Sequence, residues 1–273
     1  MDILHFTFFQ NALWASLLIS IASGIVGTYI VSRRIVFISG GITHATFGGL
    51  GMGFYFGINP LLSALFFALL SSFGIEYMSR SDKDRRIRED SAIAAVWSFG
   101  MAIGVVFIFL TPGYAPNLSA YLFGNILTVS VNDLIWMAML SVCLILFYIL
   151  GKRAIVYVAF DRDFAITQHI PVRCIEYMMM FFISVTIVLS IRLAGIMLLM
   201  SLLTIPQMTV NLFTSNYFKI TTFSCIIGIF GCVFGLFLSY FFNIPSGAFI
   251  ILILILFFLI AKIIRQLQLT VTK

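Results

Sequence analysis

Charge is scarce in this sequence: Asp, Glu, Lys and Arg together make up 10% of its 273 residues, while hydrophobic residues reach 62%. A water-soluble chain carries about 25% charged and about 45–50% apolar residues, and no aqueous domain could bury so many large side chains. A soluble globular class is therefore excluded, and lipid is the solvent for most of the chain, in keeping with a mean hydropathy of +1.12. Cysteine is sparse too. Cys143, Cys174, Cys225 and Cys232 are scattered without a CxxC pair or a histidine at zinc-site spacing, which argues against a metal knuckle and leaves them as apolar filler. Catalytic motifs are missing. The one Gly-Lys pair, Gly151-Lys152, is followed by Arg153 and lacks the upstream glycine of a phosphate loop, and neither HExxH nor GxSxG occurs. The chain is expected not to be an enzyme, and any ATP it depends on is bound by another subunit. A basic N-terminal leader is also lacking: Met1 to Gln10 carry Asp2 and no Lys or Arg, and the first apolar run ends at Arg33-Arg34. That order is the reverse of a cleaved signal, so the segment is expected to be retained.

What is present is a succession of apolar stretches of the length that crosses a hydrocarbon core of about 30 Å as a helix, about 17–25 residues. They cover 11–31, 42–58, 61–78, 92–111, 132–151, 174–191, 194–212, 219–241 and 247–264. This predicts an all-α, polytopic membrane protein, a single transmembrane domain over 1–273. It has nine crossings, or eight if the second or the 194–212 span is broken or re-entrant. Alternating nine spans puts every Lys and Arg except Arg192 on one side, which is the cytoplasm. The net charge of +6 is thereby explained by topology, and nucleic acid is not needed as a partner.

Two cytoplasmic loops, 79–91 and 152–173, are long and polar enough to hold a short surface helix and a docking partner. A solvated charge cluster that only anchors topology is the alternative. On the opposite side, 111–133 contains Pro112, Pro116 and Gly124 around the amphipathic YLFGNIL, whose Tyr121, Leu122 and Phe123 suit the headgroup boundary.

The segment ISGGITHATFGGLGMGFYFG holds Gly40, Gly41, Gly48, Gly49, Gly51, Gly53 and Gly57 within a predicted helix. Small residues at 41, 45, 49, 53 and 57 let helix backbones approach closely in lipid, so Gly49, Gly53 and Gly57 are candidate packing positions. His44 shares a face with Gly48 and Gly51 at i, i+4 and i+7. An imidazole there is either a ligand on a transport pathway or a helix-to-helix hydrogen-bonding residue. His5 and His169 are read as ordinary surface residues. Pro206 interrupts MLLMSLLTIPQMTVNLF and predicts a kink, which serves as a hinge or is simply tolerated. Glu76 and Glu176 are expected near cytoplasmic ends, snorkelling or pairing with loop arginines.

Six blocks in order resemble the membrane permeases of bacterial ABC importers for zinc, manganese and iron. They are GIVGTYIVSRRIVFISGGITHATFGGLG (24–51), EDSAIAAVWSFGMAIG (89–104), AYLFGNIL (120–127), AFDRDFA (159–165), AGIMLLMSLLTIP (194–206) and LSYFFNIPSGAFI (238–250). The resemblance implies the ABC-importer permease fold in the bacterial cytoplasmic membrane. It implies a homodimer bound to two cytoplasmic ATPase subunits and supplied by an extracytoplasmic metal-binding protein. It assigns Asp161, Arg162, Asp163 and Ala165 to the helix that docks on the ATPase, and His44 to transient metal contact. Gly40 stands where the family commonly has Asp, so an anionic ligand is missing. Ser39 or Thr43 oxygens, water or a symmetry-related His44 are the alternatives.

Zinc is the expected cargo, because an imidazole without a nearby carboxylate suits zinc better than manganese, and because AYLFGNIL and SIRLAG look most like the zinc-type members. Manganese and iron stay open. A secondary carrier driven by an ion gradient, with His44 coupled to protons, is the alternative from another class. It calls for an inverted repeat and mid-membrane acids, and neither is evident. A third reading, a membrane docking protein that transports nothing, leaves His44 a packing residue.

Overall fold

The computed structural model describes residues 5–80, 88–112, 124, 126–242 and 244–271. The described secondary structure is helical throughout: α1 Thr7–Ser32, α2 Phe37–Phe56, α3 Pro60–Arg80, α4 Glu89–Leu110, a 3-10 turn Ile126–Thr128, α5 Val131–Phe160, α6 Arg162–Thr167, α7 Val172–Leu202, α8 Ile205–Asn211, α9 Tyr217–Phe242 and α10 Ser246–Val271. Most of the expected loop 79–91, and Tyr121, Leu122 and Phe123 of the expected interfacial segment, lie outside the described residues.

Seven segments are long and apolar enough to cross a bilayer. One of them, Val172–Asn211, has 40 residues, which as a straight helix would run about 60 Å, twice the hydrocarbon thickness. It is not straight: Gly195 sits at φ 77, ψ 167 inside α7, a conformation open to glycine and closed to side-chain-bearing residues. The backbone of Gly124, itself at φ 59, lies against Ala194 and Gly195 there. The break at Gly195 falls at the start of the expected span 194–212, close to its boundary with 174–191. α2 is a full helix of 20 residues with 14 of them buried. It is less apolar than the seven spans because glycines, threonines and His44 dilute its hydropathy.

Two expectations are corrected. The loop expected over 152–173 begins inside α5, whose 30 residues extend about 45 Å and overshoot the bilayer. The kink expected at Pro206 falls earlier, at Leu203–Thr204. Pro206 lies in the first turn of α8, where its missing N–H leaves no helix bond unmade.

The chain clusters into two compact units. The first comprises Met1–Ser32, Ser119–Leu150 and Leu189–Lys273. In it α1 packs on α9, α8 and the 3-10 turn, and α9 on α10. Gln207, fully buried, donates through Nε2 to the carbonyls of Ser23 (3.0 Å) and Leu202 (3.2 Å), fastening α8 to α1 with polar contacts that lipid cannot compete for. Arg192, the cation expected on the outer side, is held by Asp133 at 3.0 Å. Asp133 also accepts from the N–H and hydroxyl of Ser130 at the start of α5, so the exception to the charge pattern is neutralised locally. All four cysteines are free.

The second unit comprises Arg33–Leu118 and Gly151–Val188, and its core is the packing of α2 against α3 and α4. A Cβ on Gly51 would stand 2.5 Å from the Gly104 carbonyl, one on Gly48 3.0 Å from that of Gly100, and one on Gly53 2.7 Å from the Pro60 Cα. Backbone meets backbone at these points, the arrangement that substitutes for hydrophobic drive in lipid. The expected stripe 41, 45, 49, 53, 57 is divided: Gly41 and Ala45 meet α4, whereas Gly49 and Gly53 meet α3. Fourth-residue steps drift by about 40° each on a helix with 3.6 residues per turn, so five of them cannot face one neighbour. Gly57 has open space around it and is no packing residue; at φ 67 it caps α2 in the left-handed region.

Candidate functional site

His44 lies two turns into α2, half-buried, with its ring stacked on the Trp97 indole of α4 (centroids 4.4 Å apart, planes 5° apart). Phe47, one turn on, is the next ring, at 6.1 Å. The near-parallel stack fixes the imidazole plane, while Nδ1 is buried without a hydrogen-bond partner among the described residues. A helix-to-helix hydrogen-bonding role therefore has no support at Nδ1, and a nitrogen lone pair or N–H is left available for a ligand. The hydroxyls considered beside it donate to backbone carbonyls, Ser39 to that of Val36 at 2.8 Å and Thr43 to that of Ser39, which leaves their oxygen lone pairs uncommitted by these bonds. Gly40, one turn before His44, is buried and supplies no side-chain ligand. No group of three His, Cys, Asp or Glu side chains with metal-holding geometry occurs among the described residues. One described chain thus offers an imidazole beside an aromatic wall, a surface that can touch a cation in passage but not cage it.

The second feature is α6. Asp161, in extended conformation (φ −148, ψ 100), accepts from the Phe164 N–H at 2.9 Å and starts the helix as an N-cap. Ala165 is fully buried and anchors it, while Asp163, Phe164 and Ile166 are exposed. At the far end His169 takes φ 55 and its N–H reaches the Ile166 carbonyl, while Ile170 N–H reaches that of Ala165. His169 thus closes a helix end. The sequence placed Asp161, Arg162, Asp163 and Ala165 in one segment, and the structure brings them together on one short helix with an apolar anchor and an exposed polar and aromatic face.

Single-residue reading of the sequence missed two things. Trp97 carried no signal, because its partnership with His44 exists only once α2 and α4 pair. Glu76 and Glu176 do not snorkel: their side chains are about 1% exposed, and both are paired to Arg33, at 3.4 and 3.5 Å. The expectation of pairing with arginine holds, but the first partner is the Arg33 that the charge pattern had assigned to topology alone.

The model of the ABC 3 transport family matches residues 5–265. The chain belongs to the ABC 3 transport family. It is 37% identical over 96% of its length to an uncharacterised membrane protein of Synechocystis, covering 92% of that protein. It is 31% identical over 97% of its length to the manganese import system permease protein ScaB of Streptococcus parasanguinis, covering 93% of it. Its fold matches PsaBC from Streptococcus pneumoniae, solved in complex with a Fab, at a TM-score of 0.82 with 28% identity, covering 95% of this chain and 92% of that one. The ABC 3 chain is accordingly a multi-pass bacterial membrane permease of an ABC transporter. It is not itself the enzyme, since ATP hydrolysis resides in a separate subunit.

Proposed function

We propose that this permease admits a divalent metal ion to the bacterial cytoplasm, with manganese the first candidate, and that separate ATPase subunits docked on α6 drive it. The observation that carries the reading is end-to-end similarity, over 97% of the chain, to a protein named as a manganese import permease. The unpartnered, Trp97-stacked His44 on a glycine-packed helix supplies a chemically suitable contact for the cargo. A second copy of the chain would bring a second His44, and an extracytoplasmic metal-binding protein would deliver the ion. Weak, incomplete ligation suits a pathway that must release what it takes up. One observation favours zinc as the second reading: Gly40 leaves the imidazole without a neighbouring carboxylate, and manganese prefers oxygen ligands.

The test is uptake of radiolabelled manganese, with zinc and iron as competitors, into vesicles holding the chain with its ATPase and binding protein. ATP-driven manganese uptake that survives a protonophore and is lost in His44→Ala is expected. Uptake driven by an ion gradient alone would replace the reading with a secondary carrier, and preferential zinc uptake would exchange the metal.

A further inference from the structure

Arg33 is the first residue beyond α1, in a four-residue link to α2 that turns through Arg34 at φ 62. Its side chain is 16% exposed, and three carboxylates from three other helices converge on it. Glu76 at the end of α3 lies at 3.4 Å, Glu89 at the start of α4 at 3.8 Å and Glu176 near the start of α7 at 3.5 Å. The same Glu176 oxygen that faces Arg33 also lies 3.5 Å from Nε of Arg162, the first residue of α6. A continuous chain of charge therefore runs from α6 through Glu176 to the head of α2, and Glu76 and Glu89 are its side branches.

These four contacts, at 3.4–3.8 Å, are longer than the about 2.7–2.9 Å of a fully formed charge-assisted hydrogen bond. The guanidinium hydrogen-bonds to Glu76 and stands within 4 Å of Glu89 and Glu176 as well, so it is shared among three carboxylates. A buried ion pair adds little stability over apolar packing of equal volume, so packing alone does not account for three acids and two arginines here. A cation shared among three acceptors passes from one to another at small cost, and packed elements respond to such exchanges by discrete shifts.

We propose that Arg33 is a positioning residue that passes displacement of α6 to α2. As α6 moves, Arg162 draws on or releases Glu176, Arg33 redistributes among Glu176, Glu89 and Glu76, and the head of α2 follows. His44 lies seven residues beyond Phe37, about 10 Å along the same helix. The backbone contacts of α2 with α3 and α4 make the three helices respond together. This inference rests on the reading of α6 as the ATPase-docking helix.

The experiment measures ATP hydrolysis and radiolabelled manganese uptake together, in vesicles holding the complete assembly of permease, ATPase and binding protein. Arg33→Gln is expected to assemble and hydrolyse ATP while manganese moved per ATP falls about fivefold or more. Arg33→Lys, which keeps the charge, is expected to recover at least about half of that ratio. An unchanged ratio in Arg33→Gln overturns the inference, as does failure of Arg33→Gln to capture the ATPase while present in the membrane at normal amount. If Arg33→Gln does not accumulate, Glu89→Gln, at the most distant and least buried of the carboxylates, is read instead. A fall of about twofold or more is then expected, and no fall overturns the inference. Absence of ATP-driven uptake by the unaltered assembly would overturn the functional reading and this inference with it.

Discussion

At His44 the backbone and the ring make separate contributions. The glycines of α2 allow close approach of α4, and Trp97 then holds the imidazole plane through a stack that bonds neither ring nitrogen. Such aromatic pairs contribute about 0.5–1.5 kcal/mol beyond buried area. If the stack selects the rotamer that meets the ion, Trp97→Ala is expected to lower manganese uptake about twofold to tenfold, with Trp97→Phe close to the parent. Initial uptake rates at equal membrane abundance check this, and equal rates in the parent and both variants would show that the stack is only packing. His44 was legible in the sequence because an ionisable side chain among seven glycines is chemically conspicuous. Trp97 was not, since a tryptophan in an apolar span reads as bulk until its neighbour is known. Arg33 shows the same limit: one basic residue at a helix end serves topology, and only the fold shows three acids around it.

Helix lengths were legible because a bilayer demands about 20 apolar residues of every crossing. Helix ends were not. Lys152 and Arg153 interrupt hydropathy without interrupting α5, and the break expected at Arg192 falls at Gly195, with α7 helical through the arginine. Glycine content likewise marks close packing without saying against what. Gly51 and Gly74 separate the two outcomes. A Cβ at Gly51 runs into the Gly104 backbone, whereas at Gly74, inside α3, it meets nothing within 4 Å. Gly51→Ala is expected to destabilise by about 1–3 kcal/mol, while Gly74→Ala is expected to be neutral or to stabilise by up to about 1 kcal/mol through helix propensity. Thermal unfolding in detergent reads both, and equal behaviour would contradict the α2–α4 contact. For α6 the question is whether Asp161 acts by charge or by capping. Asn caps as well as Asp, and Ala forfeits about 0.5–2 kcal/mol. Capture of the ATPase is expected to persist in Asp161→Asn and to fall in Asp161→Ala; loss in both would instead assign a contact to the carboxylate.

For the whole molecule, charge distribution and helix lengths point to the same topology. We expect nine crossings, the seven apolar segments with α2 added and Val172–Asn211 divided at Gly195. With nine, Gln168 before α7 and Asn216 before α9 lie on the same, cytoplasmic face, as Arg173 and Lys219 beside them require. If Val172–Asn211 crossed once, those two positions would lie on opposite faces and Lys219 would be external. Both residues are exposed, so each accepts a cysteine in a background with Cys143, Cys174, Cys225 and Cys232 replaced. A membrane-impermeant maleimide is expected to label Gln168→Cys and Asn216→Cys in inverted vesicles and neither in intact cells. Labelling of Asn216→Cys alone from outside would remove one crossing, and with it the division of Val172–Asn211 at Gly195 into two.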